Sequence, residues 1–195
     1  LVGRSIYSGV HELANGILPR FGVESSPVDP SDLDALAAAI RPETRALIVE
    51  SPTNPTLEIC DLKAVAAVCR ERQVISVIDN TFATPVNQNP LEFGADIVVH
   101  STTKYLGGHS DLTGGVVIGS EELLAPIRDW RKNLGQMMAP EVAYLLARSL
   151  RTLVVRVNAH NASAQILAEQ LCGHPRITKV NYPGLPDFDG HSIAK

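Results

Sequence analysis

The sequence predicts an α/β fold in which short buried strands alternate with amphipathic helices. Four apolar runs rich in β-branched residues show no polar alternation, which is typical of strands buried on both faces of a mostly parallel sheet. These runs are Ala46–Val49, Val74–Ile78, Ile97–Val99 and Val116–Ile118. The segments between them have the apolar spacing of helices, and this alternation is the pattern of βαβ units.

Two helices are predicted between the first strands. Asp32–Ile40 has acidic residues in its first turn, Ser31 as a capping residue before it and Pro42 beyond its end, which are helix start and stop signals. Asp61 precedes Leu62–Arg72, whose apolar residues fall on one helical stripe. Each helix is therefore expected to cover one face of the sheet.

The last third of the sequence has a different pattern. Residues Pro140–Leu171 are almost continuously helical in spacing, and a helix of that length commonly joins two structural units. We therefore place a domain boundary near Leu150, with residues 1–150 as one domain and residues 151–195 as the start of a second. The run Ile177–Tyr182 is predicted to be a strand that begins the second domain.

Composition excludes several classes of protein. The chain has 195 residues, 45% of them hydrophobic and 19% charged, with a net charge of −4, which excludes a disordered chain. No apolar run approaches the roughly 20 residues of a membrane helix, and scattered Lys and Arg residues form no basic footprint for nucleic acid. Cys60, Cys69 and Cys172 form no CxxC pair, and no signal-peptide pattern is present. We expect a cytoplasmic protein with reduced cysteines.

The carboxyl ends of the strands are the places to search for a site, because ligands of open α/β sheets bind there. The strand Val74–Ile78 is followed by Asp79, Asn80 and Thr81. A carboxylate at the end of an apolar strand needs a partner, which makes Asp79 a candidate functional residue. A capping role for Asp79 in the following turn is an equally simple interpretation.

The strand Ile97–Val99 leads into a segment with three hydroxyl groups directly before Lys104. A partly desolvated lysine here can act as an amine nucleophile, and the hydroxyls can bind an anion such as phosphate. The alternative is a solvated surface lysine after a polar turn. The glycines of Gly107–Gly115 lack the order of known nucleotide-binding loops, and they indicate tight turns near Lys104.

A third strand end carries Ser51–Pro55, in which two prolines define an irregular loop and leave the Asn54 amide free for a ligand. The three strand ends thus direct Asn54, Asp79 and Lys104 toward one pocket. Such a group of side chains is what pyridoxal phosphate requires. The lysine bonds to its aldehyde, the acid keeps its ring nitrogen protonated, and hydroxyls hold its phosphate.

Four motifs make a family resemblance recognisable. The string Ser101–Asp111 resembles the cofactor-attachment motif of the Cys/Met metabolism enzymes that depend on pyridoxal phosphate. Ser51–Pro55 and Asp79–Ala83 look like two further internal signatures of that family, at compatible spacings. Arg151–Leu153, with the later Tyr182–Leu185, resembles the entry into its C-terminal domain. The similarity spans essentially the whole chain.

The resemblance implies a fold and a reaction. The fold would be part of the large domain of a fold type I pyridoxal-phosphate-dependent transferase, with a mostly parallel, seven-stranded type of sheet, followed by the start of an α+β C-terminal domain. The reaction would be β- or γ-elimination on a sulfur amino acid, as in cystathionine lyases. Two alternatives stay open: γ-replacement, as in cystathionine γ-synthase or a homoserine-ester sulfhydrylase, and an inactive fragment. The full-length enzyme would be a homo-oligomer, either a dimer or a tetramer.

The resemblance also assigns roles to residues around the lysine. Lys104 would carry the cofactor covalently and then shuttle protons between substrate carbons. Asp79 would pair with the pyridine nitrogen, and Asn54 would hydrogen-bond the phenolic oxygen. Ser101 and Thr103 would contact the phosphate.

Two further roles and several departures follow from the same resemblance. Thr81 would lie against one face of the ring, and Tyr7 would stack on the cofactor and assist proton transfer. The segment around Tyr7 resembles a Tyr-Gly-Gly-Thr motif, although Ser8 replaces a glycine and Val10 replaces the threonine. The family's upstream phosphate loop and N-terminal arm are absent, and Lys195 falls before its substrate-binding arginine. We therefore expect the central portion of a longer enzyme, inactive alone.

Overall fold

A mixed six-stranded sheet forms the centre of the computed structural model, which describes residues 1–195. The strands are β1 (Val2–Gly3), β2 (Pro27–Val28), β3 (Ala46–Glu50), β4 (Ile75–Asp79), β5 (Ile97–Ser101) and β6 (Gly115–Gly119). They lie in the order β2-β1-β3-β4-β5-β6. Strands β1 to β5 pair in parallel, and β6 runs antiparallel to β5. The predicted α/β class with a mostly parallel sheet is confirmed.

Helices connect the strands of the sheet and make up most of the chain after the last strand. They are α1 (Ser8–Glu12), α2 (Leu33–Ala39), α3 (Leu62–Glu71), α4 (Thr84–Asn87), α5 (Glu121–Leu134), α6 (Pro140–Leu150), α7 (Leu153–Cys172) and α8 (His191–Ala194). Helix α2 begins one residue later than predicted, because Asp32 rather than Ser31 accepts the capping hydrogen bond, from the Ala35 N–H at 2.9 Å. No helix has both the length and the apolarity that crossing a membrane requires.

The hydrophobic core lies between the sheet and helices α2 and α3. Leu36, Leu47, Val65, Cys69 and Ile78 are completely buried there. Burial of each large aliphatic side chain stabilises the fold by roughly 1.5–3 kcal/mol. The strands β3 and β4 therefore hold the residues at their carboxyl ends on a rigid base.

The last third of the chain differs from the sequence-based prediction in two ways. The predicted continuous helix is interrupted after Leu150, so that α6 and α7 are separate helices. The predicted strand Ile177–Tyr182 is wrong, because the segment has no neighbouring strand to pair with. Its backbone makes turn hydrogen bonds instead, such as Ile177 N–H to His174 O at 3.0 Å. The division into residues 1–150 and 151–195 stays a prediction.

Candidate active site

Three neighbouring strands bring the predicted site residues to one edge of the sheet. In the parallel register, Glu50 at the end of β3 lies opposite Asp79 at the end of β4. Asp79 in turn lies opposite Val99 in β5, two residues before that strand ends at Ser101. The loop after β3, the Asp79 carboxylate and the turn that carries Lys104 therefore share one edge, as ligand sites of open α/β sheets do.

The Asp79 carboxylate is fixed by its neighbours. The Thr81 N–H and the Thr81 hydroxyl both donate to Asp79 Oδ1, over 3.0 and 2.6 Å. The same Thr81 hydroxyl accepts a hydrogen bond from the Ser101 N–H at 2.9 Å. The turn interpretation of Asp79 is thus correct in geometry, yet it uses only one oxygen. No side chain or backbone group of the protein donates to Oδ2, and no cation is paired with the carboxylate.

Lys104 lies in the turn that follows β5. Residues Thr102–Leu106 form a helical turn that is kinked at Lys104, whose φ of −91° and ψ of −126° are not helical. The Lys104 side chain is exposed and makes no hydrogen bond or ion pair with the protein. Its amine is therefore free to bond to a ligand.

The hydroxyls before Lys104 differ in their availability. The Thr103 hydroxyl donates to Gly114 O at 3.3 Å and accepts from the Gly114 N–H at 3.0 Å. Thr102 is completely buried, and its hydroxyl has no hydrogen-bond partner. The Ser101 hydroxyl is partly exposed and has no partner within the protein. Ser101 is the most available of the three for an anion, and Thr103 has to give up its donated bond.

Asn54 and Tyr7 lie beside the end of β3. The Asn54 side chain is exposed in the loop and makes no hydrogen bond, so its amide is free. Tyr7 directly precedes α1, and half of its surface is exposed. The Tyr7 N–H donates to Glu50 Oε2 at 2.8 Å. This hydrogen bond fixes the Tyr7 backbone at the edge of the sheet that carries the site, and the phenol ring stays partly exposed.

Sequence reasoning missed Glu50, which is only 4% exposed. Burial raises the pKa of the Glu50 carboxyl to about 7, hydrogen bonds from the backbone N–H groups of Tyr7 and Asn54 oppose the rise, and the nearby Asp79 charge adds to it. The signal that identified Asp79, an acid at the end of an apolar strand, was present here as well. Glu50 holds the backbone of Tyr7, a predicted site residue.

His100 and Arg156 were also missed. His100 is buried beside the site, its Nδ1 has no partner, and burial lowers the pKa of its imidazole while the Asp79 charge opposes that shift. The Arg156 guanidinium of α7 donates to the carbonyl oxygen of Tyr105 at 2.7 Å. This contact joins residues 51 positions apart, and no local sequence pattern indicates it.

The groups at this edge fit pyridoxal phosphate by their chemistry. An amine without a partner, a fixed carboxylate with one oxygen free and a free hydroxyl match the three functions that this cofactor needs from a protein. The carboxylate has no cation of the protein to neutralise it, so a protonated ring nitrogen is a suitable partner. The arrangement can hold the cofactor and move a proton.

Comparison with known proteins identifies relatives along the whole chain. The sequence profile of the Cys/Met metabolism PLP-dependent enzymes matches residues 1–195. Cystathionine gamma-synthase of Mycobacterium leprae is 43% identical over 195 residues, and cystathionine beta-lyase of Lactococcus lactis subsp. cremoris is 41% identical over 196 aligned positions; both alignments cover 100% of this chain. The crystal structure of cystathionine gamma-lyase from Lactobacillus plantarum, complexed with L-serine, superimposes with a TM-score of 0.95 at 44% identity, covering 99% of this chain and 51% of that one.

The chain is shorter than these relatives. It spans 50% of the Mycobacterium leprae protein and 52% of the Lactococcus lactis protein. The aligned half includes every residue of the site edge described above.

Proposed function

The chain belongs to the Cys/Met metabolism family of pyridoxal-phosphate-dependent enzymes, and from this premise we propose that it carries the cofactor site of an enzyme that eliminates the β- or γ-substituent of a sulfur amino acid. One observation carries the proposal. Asp79 and Lys104 lie at the ends of adjacent strands, and the reactive atoms of both side chains are free of protein partners. A partly buried carboxylate with a purely structural role would be expected to have both of its oxygens paired, whereas only Asp79 Oδ1 has partners.

Lys104 and Asp79 have the central roles in this proposal. Bound pyridoxal phosphate draws electrons away from the substrate α-carbon. Lys104 Nζ would hold the cofactor covalently until the substrate amine displaces it, and the released amine would then take the α-proton and deliver it to another carbon. Asp79 Oδ2 would accept a hydrogen bond from the protonated ring nitrogen, while the Thr81 bonds to Oδ1 keep the carboxylate from rotating.

The remaining residues bind and orient. Ser101 donates its free hydroxyl to the phosphate, and Thr103 joins it by exchanging its bond to Gly114 O. Asn54 donates its side-chain amide to the phenolic oxygen. Thr81 would lie against one face of the ring, and Tyr7 would stack on the ring and assist the proton transfer with its hydroxyl. Glu50 fixes the Tyr7 backbone by accepting a hydrogen bond from the Tyr7 N–H.

A second candidate reaction is γ-replacement, in which a thiol adds after the γ-substituent leaves. It is supported by the 43% identity to cystathionine gamma-synthase of Mycobacterium leprae, which is close to the 44% identity to the Lactobacillus plantarum gamma-lyase and the 41% identity to the Lactococcus lactis beta-lyase. The proposed steps at Lys104 and Asp79 are common to both reactions. Only the fate of the substrate after the leaving group departs distinguishes them.

We further propose that residues 1–150 form the cofactor-binding domain and that residues 151–195 begin a second unit. The buried core cluster, which extends from Val28 to Ala95, supports the first unit. A homo-oligomer, either a dimer or a tetramer, is supported by the exposed apolar side chains of α7, such as Val155 at 71% and Ile166 at 57%. A cytoplasmic location is supported by three free cysteines.

The test compares Lys104→Ala with Lys63→Ala, an exposed lysine of α3, in the complete protein. Lys104→Ala is expected to lose the visible absorbance of lysine-bound cofactor and to slow turnover by about 10³-fold or more, because nucleophile and proton carrier disappear together. Lys63→Ala is expected to retain both. Wild-type turnover in Lys104→Ala contradicts the proposal.

The two candidate reactions are distinguished by their products. Cystathionine alone is supplied in one assay, and an activated homoserine ester with cysteine is supplied in the other. Release of a 2-oxo acid and ammonia from cystathionine supports elimination. Formation of cystathionine from the ester supports replacement. If neither product forms in its assay, both candidate reactions are contradicted.

A further inference from the structure

Helix α7 reaches across the turn that carries Lys104 through one side chain. The Arg156 guanidinium donates from Nη1 to Tyr105 O at 2.7 Å and from Nη2 to Leu106 O at 3.4 Å. Its Nη2 also donates to Ser149 O at 2.9 Å, and its Nε donates to the Thr152 hydroxyl at 3.1 Å. One half-buried side chain thereby connects the end of α6, the start of α7 and the two residues after Lys104.

The same face of α7 makes two further contacts near this turn. His160, one helical turn after Arg156, lies edge-on to the Tyr105 ring with ring centres 5.7 Å apart. Asn161 and Asn87 of α4 exchange hydrogen bonds between their side-chain amides at 2.8 and 3.2 Å. Helix α7 is therefore held against α4 and against the Lys104 turn on the face that carries Arg156.

The turn needs such support because the Lys104 side chain cannot supply it. Lys104 has non-helical backbone angles, and within the turn its carbonyl accepts from the Gly108 N–H at 2.7 Å. Guanidinium donors have a planar, fixed geometry, and their positive charge suits the carbonyl end of a helical turn. The two Arg156 contacts hold the backbone at the first and second residues after Lys104.

Gly108 provides the space that Arg156 occupies. A Cβ atom at Gly108 would collide with Arg156 Nη1 and lie 2.6 Å from the guanidinium carbon. Gly108 also has a φ of +71°, which disfavours other residues. Gly135 has nearly the same φ, +72°, but nothing lies within 4 Å of a Cβ there. A Cβ at Gly108 would also lie 3.1 Å from Tyr105 O, so Gly135→Ala controls only for the positive φ, and the double variant Gly108→Ala/Arg156→Met shows whether the Gly108→Ala defect acts through Arg156.

We propose that Arg156 is a positioning residue, which holds the Lys104 turn through the carbonyl oxygens of Tyr105 and Leu106 and so places the Lys104 amine for attachment and proton transfer. The proposal rests on the proposed function of Lys104. Arg156 contacts neither substrate nor cofactor in this role. Its contribution lies in keeping the amine within reach of the reacting carbon, where a displacement of about 1 Å costs on the order of 10²-fold in rate.

The experiment uses the complete protein with Arg156→Met, Arg156→Lys, Gly108→Ala and the controls Arg151→Met and Gly135→Ala. Arg151 is exposed five residues earlier, and its side chain makes no hydrogen bond or ion pair. Three quantities are measured for each: kcat and KM, the pH midpoint of the visible absorbance of lysine-bound cofactor, and the rate at which added pyridoxal phosphate attaches to the apoprotein.

Arg156→Met is expected to lower kcat by about 10- to 100-fold with a small change in KM, to slow attachment and to shift the absorbance midpoint. Arg156→Lys is expected to recover part of each loss, since one ammonium replaces one donor of the fork. Gly108→Ala is expected to reproduce the Arg156→Met defects, and the double variant to show no added loss. The controls are expected to match the wild type.

Two results overturn the proposal. One is an Arg156→Met protein with wild-type kcat, attachment rate and absorbance midpoint. The other is a Gly108→Ala protein that matches Gly135→Ala and the wild type, which would show that displacing Arg156 has no kinetic effect. If Arg156→Met does not fold, Gly108→Ala and Arg156→Lys still test the positioning role of Arg156. Failure of the proposed function is a separate result, because it appears as full activity in Lys104→Ala whatever Arg156 does.

Discussion

The ends of β4 and β5 carry the two charged groups of the site and hold them in opposite ways. At the end of β4, hydrogen bonds reach the Asp79 carboxylate itself, through Thr81. After β5, the Lys104 side chain is free, and bonds from Gly108 and Arg156 reach only the backbone of its turn. A group that keeps one partner throughout a reaction benefits from an immobile side chain. A group that forms and breaks bonds needs a fixed base and a mobile side chain.

The largest effect on this comparison is expected from Asp79→Asn. Asparagine has the same shape and keeps an oxygen for the Thr81 bonds, but it has no negative charge for a protonated ring nitrogen. We expect kcat to fall by about 10²–10³-fold, the usual cost of removing one preorganised electrostatic contact, while the melting temperature changes little. Steady-state kinetics and thermal unfolding of the same samples measure both.

The Asp79→Asn result has a specific contrary outcome. Wild-type kcat in that variant would mean that Asp79 serves only the turn, as in its capping interpretation. A large fall in melting temperature without a change in kcat would lead to the same conclusion.

A smaller effect is expected from Thr81→Val, which removes the hydroxyl that connects the two strand ends. The Ser101 N–H loses its acceptor at 2.9 Å and the Asp79 Oδ1 loses its 2.6 Å donor. An unsatisfied buried polar group costs about 1–3 kcal/mol in the free energy of unfolding. Urea unfolding measures the loss, and Thr81→Ser, which retains the hydroxyl, serves as the control. Equal stabilities for Val and Ser would show that the hydroxyl does not connect the strands.

Glu50→Gln tests the buried carboxyl at the end of β3 through the pH dependence of the free energy of unfolding. The pKa of Glu50 is raised from 4.5 to about 7, so the folded protein binds the proton more tightly than the unfolded chain. The free energy of unfolding therefore falls as pH rises from about 4.5 to about 7, by up to roughly 3 kcal/mol. Glutamine does not titrate, and the loss between pH 5 and pH 8 should be smaller in the variant.

The comparison of the two proteins cancels the other titrating groups. His100, whose pKa is lowered by burial, is present in both proteins. Urea unfolding at the two pH values gives the difference directly. An equal pH dependence in Glu50→Gln and the wild type would show that the Glu50 carboxyl ionises at its ordinary pKa.

The strands of the central sheet were predictable because they are buried on both faces and therefore leave uninterrupted apolar runs. Strands β3 to β6 lie within two residues of their predicted bounds. Strands β1 and β2 have two residues each, too few for a pattern. The run Ile177–Tyr182 has a strand-like composition, but a strand also requires a partner, which a local pattern cannot reveal.

The site was predictable where chemistry follows a strand end and unpredictable where it depends on distant contacts. Asp79 and Lys104 satisfy a rule that uses position along one strand. Glu50 satisfies the same rule and could have been identified by it. Arg156 was beyond any such rule, because its carbonyl partners in the Lys104 turn lie about 50 positions away and its own helix predicts only a surface charge.

The smallest effect is expected from Arg148→Ala, which removes an ion pair that lies near the Lys104 turn but holds none of its backbone. Arg148 Nη2 lies 3.6 Å from Asp111 Oδ2, and the two side chains are 51% and 36% exposed. Exposed ion pairs contribute about 0–1 kcal/mol, so the free energy of unfolding should change by no more than that and kcat should stay at the wild-type value. Thermal unfolding and steady-state kinetics measure both. A tenfold loss of kcat would mean that charge near the turn matters as much as the bonds that Arg156 makes, and the contrast between a fixed backbone and a free side chain at Lys104 would then lose its support.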